Sequence, residues 1–223
     1  MKPLIVTICA AAVLLTAACS RTSETEPAQK TRTLPKPSLK GNVSVEEALA
    51  KRRSVRRFAD RPLSDEHLGQ LLWAAQGITD EARGLRTAPS AGALYPLELY
   101  VFTADGIYHY SPDEHTLTRT LAGDQRAALA TAALGQSSVR ANGAVILIAA
   151  DYARTAAKYG DRAKQYGDIE VGCACQSVLL QATALGIVGV PVGAFGDAQV
   201  KQAAALPDEQ APVLLIPVGY RPD

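Results

Sequence analysis

The sequence predicts an α+β domain with a small sheet lying under helices, and three observations carry that prediction. Ala144 to Ala150 reads AVILIAA, an unbroken apolar run suited to a central strand covered on both faces. Leu97 to Thr103 and Ile107 to Tyr110 flank the turn Ala104-Asp105-Gly106 as the arms of a hairpin. Segments with helical start and stop signals surround these strands and outnumber them.

The first segment, Met1 to Ser20, reads as a targeting signal: Lys2, an apolar run from Leu4 to Leu15, then Leu15-Thr16-Ala17-Ala18-Cys19. It is short for a membrane span. The pattern is similar to a bacterial lipobox in residues 1–19, with Cys19 as the lipid-bearing first residue of the mature protein; an ordinary cleaved signal and an uncleaved anchor are the alternatives. Ser20 after the cysteine resembles lipoproteins sent on to an outer membrane. Residues 20–43, rich in Thr, Ser, Glu, Lys and Pro, are expected to form a disordered tether. Residues 44–223 suffice for one well-buried domain and are too few for two ordinary ones.

Within the domain, Ser44-Val45-Glu46-Glu47 is a capping box opening a helix. Ser64-Asp65-Glu66 opens another, whose stripe Leu68, Leu71, Leu72, Ala75 ends near Gly77. Arg86 to Pro96, RTAPSAGALYP, is small-residue and proline rich, a loop or very short helix where backbone can approach something closely. After the hairpin come a helix over 125–134, the 144–150 strand, a short helix over 151–159 and a longer one from about Asp168 to Leu185, stopped by Gly186. A short strand at 187–190, a helix over 197–205 and a last strand at 213–218 complete the domain.

The formal net charge is +1, which speaks against a nucleic-acid partner, since such binding needs a large basic face. Cys173 and Cys175 are two apart in an expected helix, where they do not face each other, and His67, His109 and His115 are scattered, so no protein-built metal centre is expected.

Against this near-neutral background, Lys51 to Phe58, KRRSVRRF, places five cations in eight positions. A helix C-terminus gains only about 0.3–1 kcal/mol per cation, and like charges four apart on a continued helix cost about 0.2–0.5 kcal/mol a pair. The cluster is therefore either a solvated basic end or a cradle for an anion. No Gly-x-Gly-x-x-Gly follows a strand and no Gly-Lys-Ser/Thr loop is present, so a bound phosphate would be held largely by side chains, where arginine forms charge-assisted bonds of about 1.5–3 kcal/mol.

Arg52-Arg53-Ser54-Val55-Arg56 resembles the Arg-x-Ser-x-Arg segment of flavin-dependent nitroreductases. Pro89-Ser90-Ala91-Gly92-Ala93-Leu94-Tyr95-Pro96 resembles the SagB-type branch of that family, the azoline dehydrogenases and their stand-alone relatives. Tyr108 to Leu117, Lys158-Tyr159-Gly160-Asp161-Arg162, Pro191-Val192-Gly193-Ala194-Phe195 and Pro217-Val218-Gly219-Tyr220-Arg221 are similar to it as well, in the family's order. The resemblance implies a nitroreductase-like fold, a small central mostly antiparallel sheet surrounded by helices, with FMN bound at the interface of a homodimer.

Carried over position by position, Arg52, Arg53, Ser54 and Arg56 would contact the FMN phosphate or ribityl chain, with Arg221 a further phosphate candidate or else a free terminal charge. Pro89, Ser90, Ala91 and Gly92, with Gly193 and Ala194, would set backbone against the flavin; Ser90 and Gly92 could equally serve only a tight turn. Lys158 and Tyr159 match the pair assigned acid/base work in azoline dehydrogenases, where a tyrosine takes or relays a proton while hydride leaves for flavin N5; the alternative is a packed Tyr159 and a solvated Lys158. Arg86 would offer positive charge to the flavin pyrimidine edge.

The chain departs from the family in two places. Relatives tend to read Leu-Glu-Ala-Gly-His where this chain has Ile169-Glu170-Val171-Gly172-Cys173, and the sequence stops at Arg221-Pro222-Asp223, where some relatives carry long tails that wrap the partner. The sequence-based expectation is an exported FMN-dependent oxidoreductase of SagB-type dehydrogenase or oxidase character, lipid-anchored on the periplasmic side and acting on a small molecule. A nicotinamide-dependent nitroreductase or quinone reductase and a non-catalytic flavin-binding lipoprotein are the rivals.

Overall fold

The computed structural model describes residues 1, 30–141 and 143–222. Met1 apart, the expected signal over 1–19, with Cys19, and the tether up to residue 29 lie outside the described residues. In chain order the elements are β1 (Thr31–Thr33), α1 (Val45–Lys51), α2 (Asp65–Gln76), the small pair β2 (Ile78–Asp80) and β3 (Leu85–Arg86), β4 (Leu97–Thr103), β5 (Gly106–Ser111), β6 (Thr116–Ala122), α3 (Arg126–Ala132), α4 (Ser137–Arg140), β7 (Ala144–Ala150), α5 (Tyr152–Tyr159), α6 (Ala163–Ala184), β8 (Ile187–Gly189), α7 (Asp197–Ala204) and β9 (Ala211–Tyr220).

Seven strands form one antiparallel sheet in the order β1-β6-β5-β4-β7-β9-β8. The apolar run of β7 sits between β4 and β9, with Tyr100 opposite Leu147 and Leu147 opposite Leu215. Its alternation explains the unbroken hydrophobicity: Ile146 and Ile148 face the core under α2 and α6, while Val145, Leu147 and Ala149 face the core under α3 and α7. Each fully buried Leu or Ile contributes about 1.5–3 kcal/mol, so this strand is the centre of both cores.

Capping sets the helix starts as the sequence foresees. Ser44 Oγ accepts from Glu47 N at 3.1 Å, and Ser64 Oγ accepts from His67 N at 3.3 Å. Two expectations need correction. The long helix begins at Ala163, not Asp168, because a 3-10 turn over Gly160–Arg162 feeds directly into it. The sheet also gains β1, at its edge, and β6 beside it, whose mostly polar sequences are held chiefly by main-chain bonds, with Leu117 the buried anchor of β6.

The expected tether is corrected over residues 30–43. Thr31–Thr33 pairs with β6, Leu34 is buried, Pro35 O accepts from the His115 ring at 2.9 Å, and the Gln70 amide bonds both Ser38 N and Ser38 O, at 2.7 and 3.0 Å. One buried leucine and a few main-chain bonds are enough to lay this strap on the domain, which a compositional reading misses. Among the described residues no helix is long and apolar enough to cross a membrane.

Candidate active site

The helix α1 stops at Lys51, and Arg52 turns into extended backbone (φ −56°, ψ 123°), so the cations beyond it never stack at helical spacing. Arg53 Nη1 folds back to donate to Ala50 O and Arg52 O at 3.0 and 2.8 Å, satisfying carbonyls at the helix end. The chain then runs beside β8 and β9: Ser54 bridges Gly189, Val55 N donates to Gly189 O at 3.0 Å, and Ala59 N donates to Tyr220 O at 2.9 Å.

Between this segment and the C-terminal half of α6 lies a cavity of about 250 Å³, where Lys51, Arg52, Arg53 and Arg221 surround Gly186 and Gly189. Its lining carries these four basic side chains and no acid. A Cβ at Gly189 would come within 2.9 Å of Pro217 O, so only glycine lets β8 lie this close to β9 at the cavity floor. The residues fit a phosphate ester: Arg52 and Arg221 can reach it with planar forks, while Lys51, paired with Glu47, adds charge only at the rim. Arg56 is exposed and lies outside this lining, and Ser54 meets it only through its backbone bridge.

From Gly189 the chain passes along β9, with Val192 paired to Leu215, to Gly193 and Ala194, at most about 17 Å of extended backbone away. Gly193 faces open space: a Cβ there would find nothing nearer than Leu214 Cδ1 at 3.9 Å. Gln136 Nε2 holds this loop from behind by donating to Ala194 O at 2.9 Å.

A second group gathers around Gly92. The 3-10 turn Ala91–Ala93 puts Gly92 at φ 64°, and a Cβ there would fall 2.9 Å from the Tyr159 hydroxyl and 3.0 Å from Lys158 Nζ. Both side chains, expected as an acid/base pair, therefore converge over the loop that also carries Pro89, Ser90 and Ala91. Tyr159 further meets Tyr166 edge to face, with ring centroids 5.1 Å apart.

Beneath this loop, Glu170 is 2% exposed and accepts from Gln76 Nε2 at 3.4 Å. Burial pushes its carboxyl above the usual value, against the opposing pull of the Ser90 hydroxyl, the Gln76 amide and the nearby Arg86. Arg86 Nη1 donates to Gln76 Oε1 at 3.0 Å, and its guanidinium lies 4.5 Å over the Tyr95 ring. The cation read from the sequence as a flavin-edge group is thus tied into the Gly92 side of the molecule.

The structure brings Arg52, Arg53 and Arg221 together in one place and Ser90, Gly92, Lys158 and Tyr159 in another. Glu170 under the second group and Thr183 in the lining of the first are both on α6, about 20 Å apart at 1.5 Å per residue. Sequence reasoning assigned no role to Gly189, Gln76, Gln136 or Glu170. The signal for Glu170 was present: a glutamate on the same buried helical face as Val171, Ala174 and Val178 needs a partner. Burial also raises the Cys175 thiol to about 11, so it stays a packed, protonated side chain.

Comparison with known proteins agrees with this arrangement. The family model described as "Nitroreductase family" matches residues 49–220. A protein of Methanocaldococcus jannaschii described as a nitroreductase is 44% identical over 185 residues, covering 80% of this chain and 92% of its own. Among solved structures, one described as a nitroreductase from Ralstonia eutropha JMP134 superposes with a TM-score of 0.78 at 24% identity, covering 86% of this chain and 90% of its own. The NADPH:FMN oxidoreductase of Vibrio harveyi, complexed with NAD+, has the same fold, with a TM-score of 0.60 at 22% identity, covering 80% of this chain and 69% of its own.

Proposed function

The chain belongs to the nitroreductase family of oxidoreductases, and from that premise we propose that it is an FMN-dependent enzyme of SagB-type dehydrogenase or oxidase character. The observation that carries this reading is the acid-free cavity in which Arg52, Arg53 and Arg221 converge beside Gly189. The cofactor, when bound, supplies a two-electron acceptor that takes or gives hydride at N5. Arg52 and Arg221 would hold its phosphate, and the open backbone at Gly193 and Ala194 would lie against the ring system. Tyr159 would exchange a proton with a small organic substrate at its hydroxyl oxygen, with Lys158 Nζ holding positive charge beside it.

The cradle and the Ser90–Gly92 loop stand at opposite ends of α6, which suits a homodimer, the usual state in this family. In such a dimer the loop of one chain, with its Lys158 and Tyr159, would face the cradle of the other. Lipid anchoring through Cys19, on the periplasmic side of a bacterial membrane, remains part of the proposal; metabolic labelling with a fatty acid, lost in Cys19→Ser, tests it.

A nicotinamide-dependent nitroreductase is the second reading, favoured by the shared fold with the Vibrio harveyi NADPH:FMN oxidoreductase. The visible absorption spectrum of the purified full chain, with extraction to identify the flavin, tests the cofactor. Steady turnover with NADH or NADPH would select the second reading. Loss of oxygen-coupled or quinone-coupled turnover in Tyr159→Phe, with FMN retained, would select the first. A chain that takes up no FMN overturns both.

A further inference from the structure

Residues 90–95 adopt a conformation that the backbone does not choose unaided. Gly92, Ala93 and Tyr95 all lie in the left-handed region, at φ 64°, 54° and 47°, and two of the three carry a Cβ. Such a segment persists only where its surroundings over-determine it.

What determines it here is a chain of hydrogen bonds and ring contacts that ends on Tyr95. Glu170 accepts from Gln76 Nε2 at 3.4 Å, and Gln76 Oε1 accepts from Arg86 Nη1 at 3.0 Å. Arg86 meets Tyr95 twice, its N donating to the Tyr95 hydroxyl at 3.2 Å and its guanidinium lying 4.5 Å over the ring. Tyr95 N in turn donates to Ser90 Oγ at 2.9 Å, which ties the two ends of the loop together. Gln76 is fully buried and its amide is used at both ends, so Glu170 and Arg86 form an ion pair relayed through one side chain rather than made directly. A buried carboxylate without a direct cation is costly, and here the Gln76 amide and the charge of Arg86 behind it offset part of that cost.

We propose that Glu170 is a positioning residue for the reaction centre: through Gln76 and Arg86, which meets Tyr95 with both main chain and guanidinium, it holds the left-handed 90–95 loop in the form that sets Gly92 beneath Lys158 and Tyr159. The loop lies between the pair and the core, so loosening it moves the surface against which a substrate would be presented to them. The role rests on the proposed function in one respect only, that Lys158 and Tyr159 act on a substrate; the hold on the loop is independent of it.

The test is amide hydrogen exchange on the full chain, comparing wild type with Glu170→Gln, which keeps size and shape but removes the charge that draws the Gln76 amide. The amides of Ala93, Leu94 and Tyr95 bond Ser90 O, Ala91 O and Ser90 Oγ, and they report the loop directly. We expect their exchange to quicken by about tenfold or more while β4 and β7 exchange as in wild type, and single-turnover flavin reduction to slow by about tenfold with FMN affinity within about threefold. If Glu170→Gln fails to fold, Gln76→Met cuts the relay and is read the same way. Unchanged exchange at 93–95 overturns the proposal, as does faster exchange with flavin reduction at the wild-type rate. Failure of the wild type to bind FMN sinks the proposed function, and the exchange arm still decides whether Glu170 holds the loop.

Discussion

Gly92 lies directly beneath the Tyr159 hydroxyl, so close that a Cβ on it would stand 2.9 Å from that oxygen. Gly92→Ala therefore adds a methyl group where Tyr159 and Lys158 now meet the loop, at a φ of 64° that alanine adopts at a cost of about 1–2 kcal/mol. Turnover is expected to fall by about tenfold or more through displacement of the pair, with FMN affinity within about threefold because the cradle is on another segment. Steady-state kinetics beside a flavin titration checks it; equal loss of both would mean that the loop and the cradle are not separable.

Arg52 and Arg221 line the cavity beside Gly189, and Arg56 does not. Each charge-assisted contact contributes about 1.5–3 kcal/mol, so Arg52→Ala and Arg221→Ala should each weaken FMN binding by about 10–100-fold. Arg56→Ala should cost less than about fivefold, the effect of a more distant cation screened by water. Fluorescence titration of FMN distinguishes these, and an Arg56 effect equal to that of Arg52 would restore the wider cradle read from the sequence.

Glu98 bonds His109 Nε2 at 2.6 Å and Arg154 Nη2 at 2.5 Å. Burial alone would raise its carboxyl, but those two partners outweigh burial and hold it below its ordinary 4.5. A depressed carboxyl contributes stability that is fully present above 4.5 and is lost as the pH falls through the lower folded value. Urea unfolding followed from neutral pH down through that window should show this loss in wild type and a flatter acid limb in Glu98→Gln.

His115 clamps the strap. Its Nε2 must donate, because Pro35 O can only accept, which leaves Nδ1 to accept from the Tyr110 hydroxyl at 2.9 Å. Burial lowers its pKa below 6.5, so the folded state prefers the neutral ring; the stability of this docking is intact above 6.5 and declines as the pH falls toward and through the lower folded value. Amide exchange of Leu34, whose N donates to His115 O at 3.0 Å, should quicken on acidification in wild type and lose that pH response in His115→Phe.

The helices were readable because their signals are local. Ser44 and Ser64 cap helices that begin where their side chains can reach a backbone N–H three residues on, and AVILIAA suits a strand covered on both faces, which it is. The edge strand β1 and its neighbour β6 were not, because threonines and an arginine paired by main-chain bonds leave no hydrophobic pattern to read. The site divides in the same way. Motif order pointed to Arg52, Arg53, Lys158, Tyr159 and Gly92, while Gln76 and Glu170, a pair 94 positions apart, carried no motif that joined them.

By itself the sequence determined the capped helices and the buried central strands, that a cationic cluster in a near-neutral chain is either a solvated end or an anion cradle, and which residues carry reactive groups. Only the tertiary structure decided that the cradle and the Gly92 loop stand at opposite ends of α6, that Arg56 stays outside the cavity while Lys51 enters it, and that Arg86 serves Gln76 and Tyr95. The reason is physical: caps and hydrophobic periodicity act within a few residues, whereas a buried polar relay exists only once packing has excluded water from groups that the chain brings together from far apart.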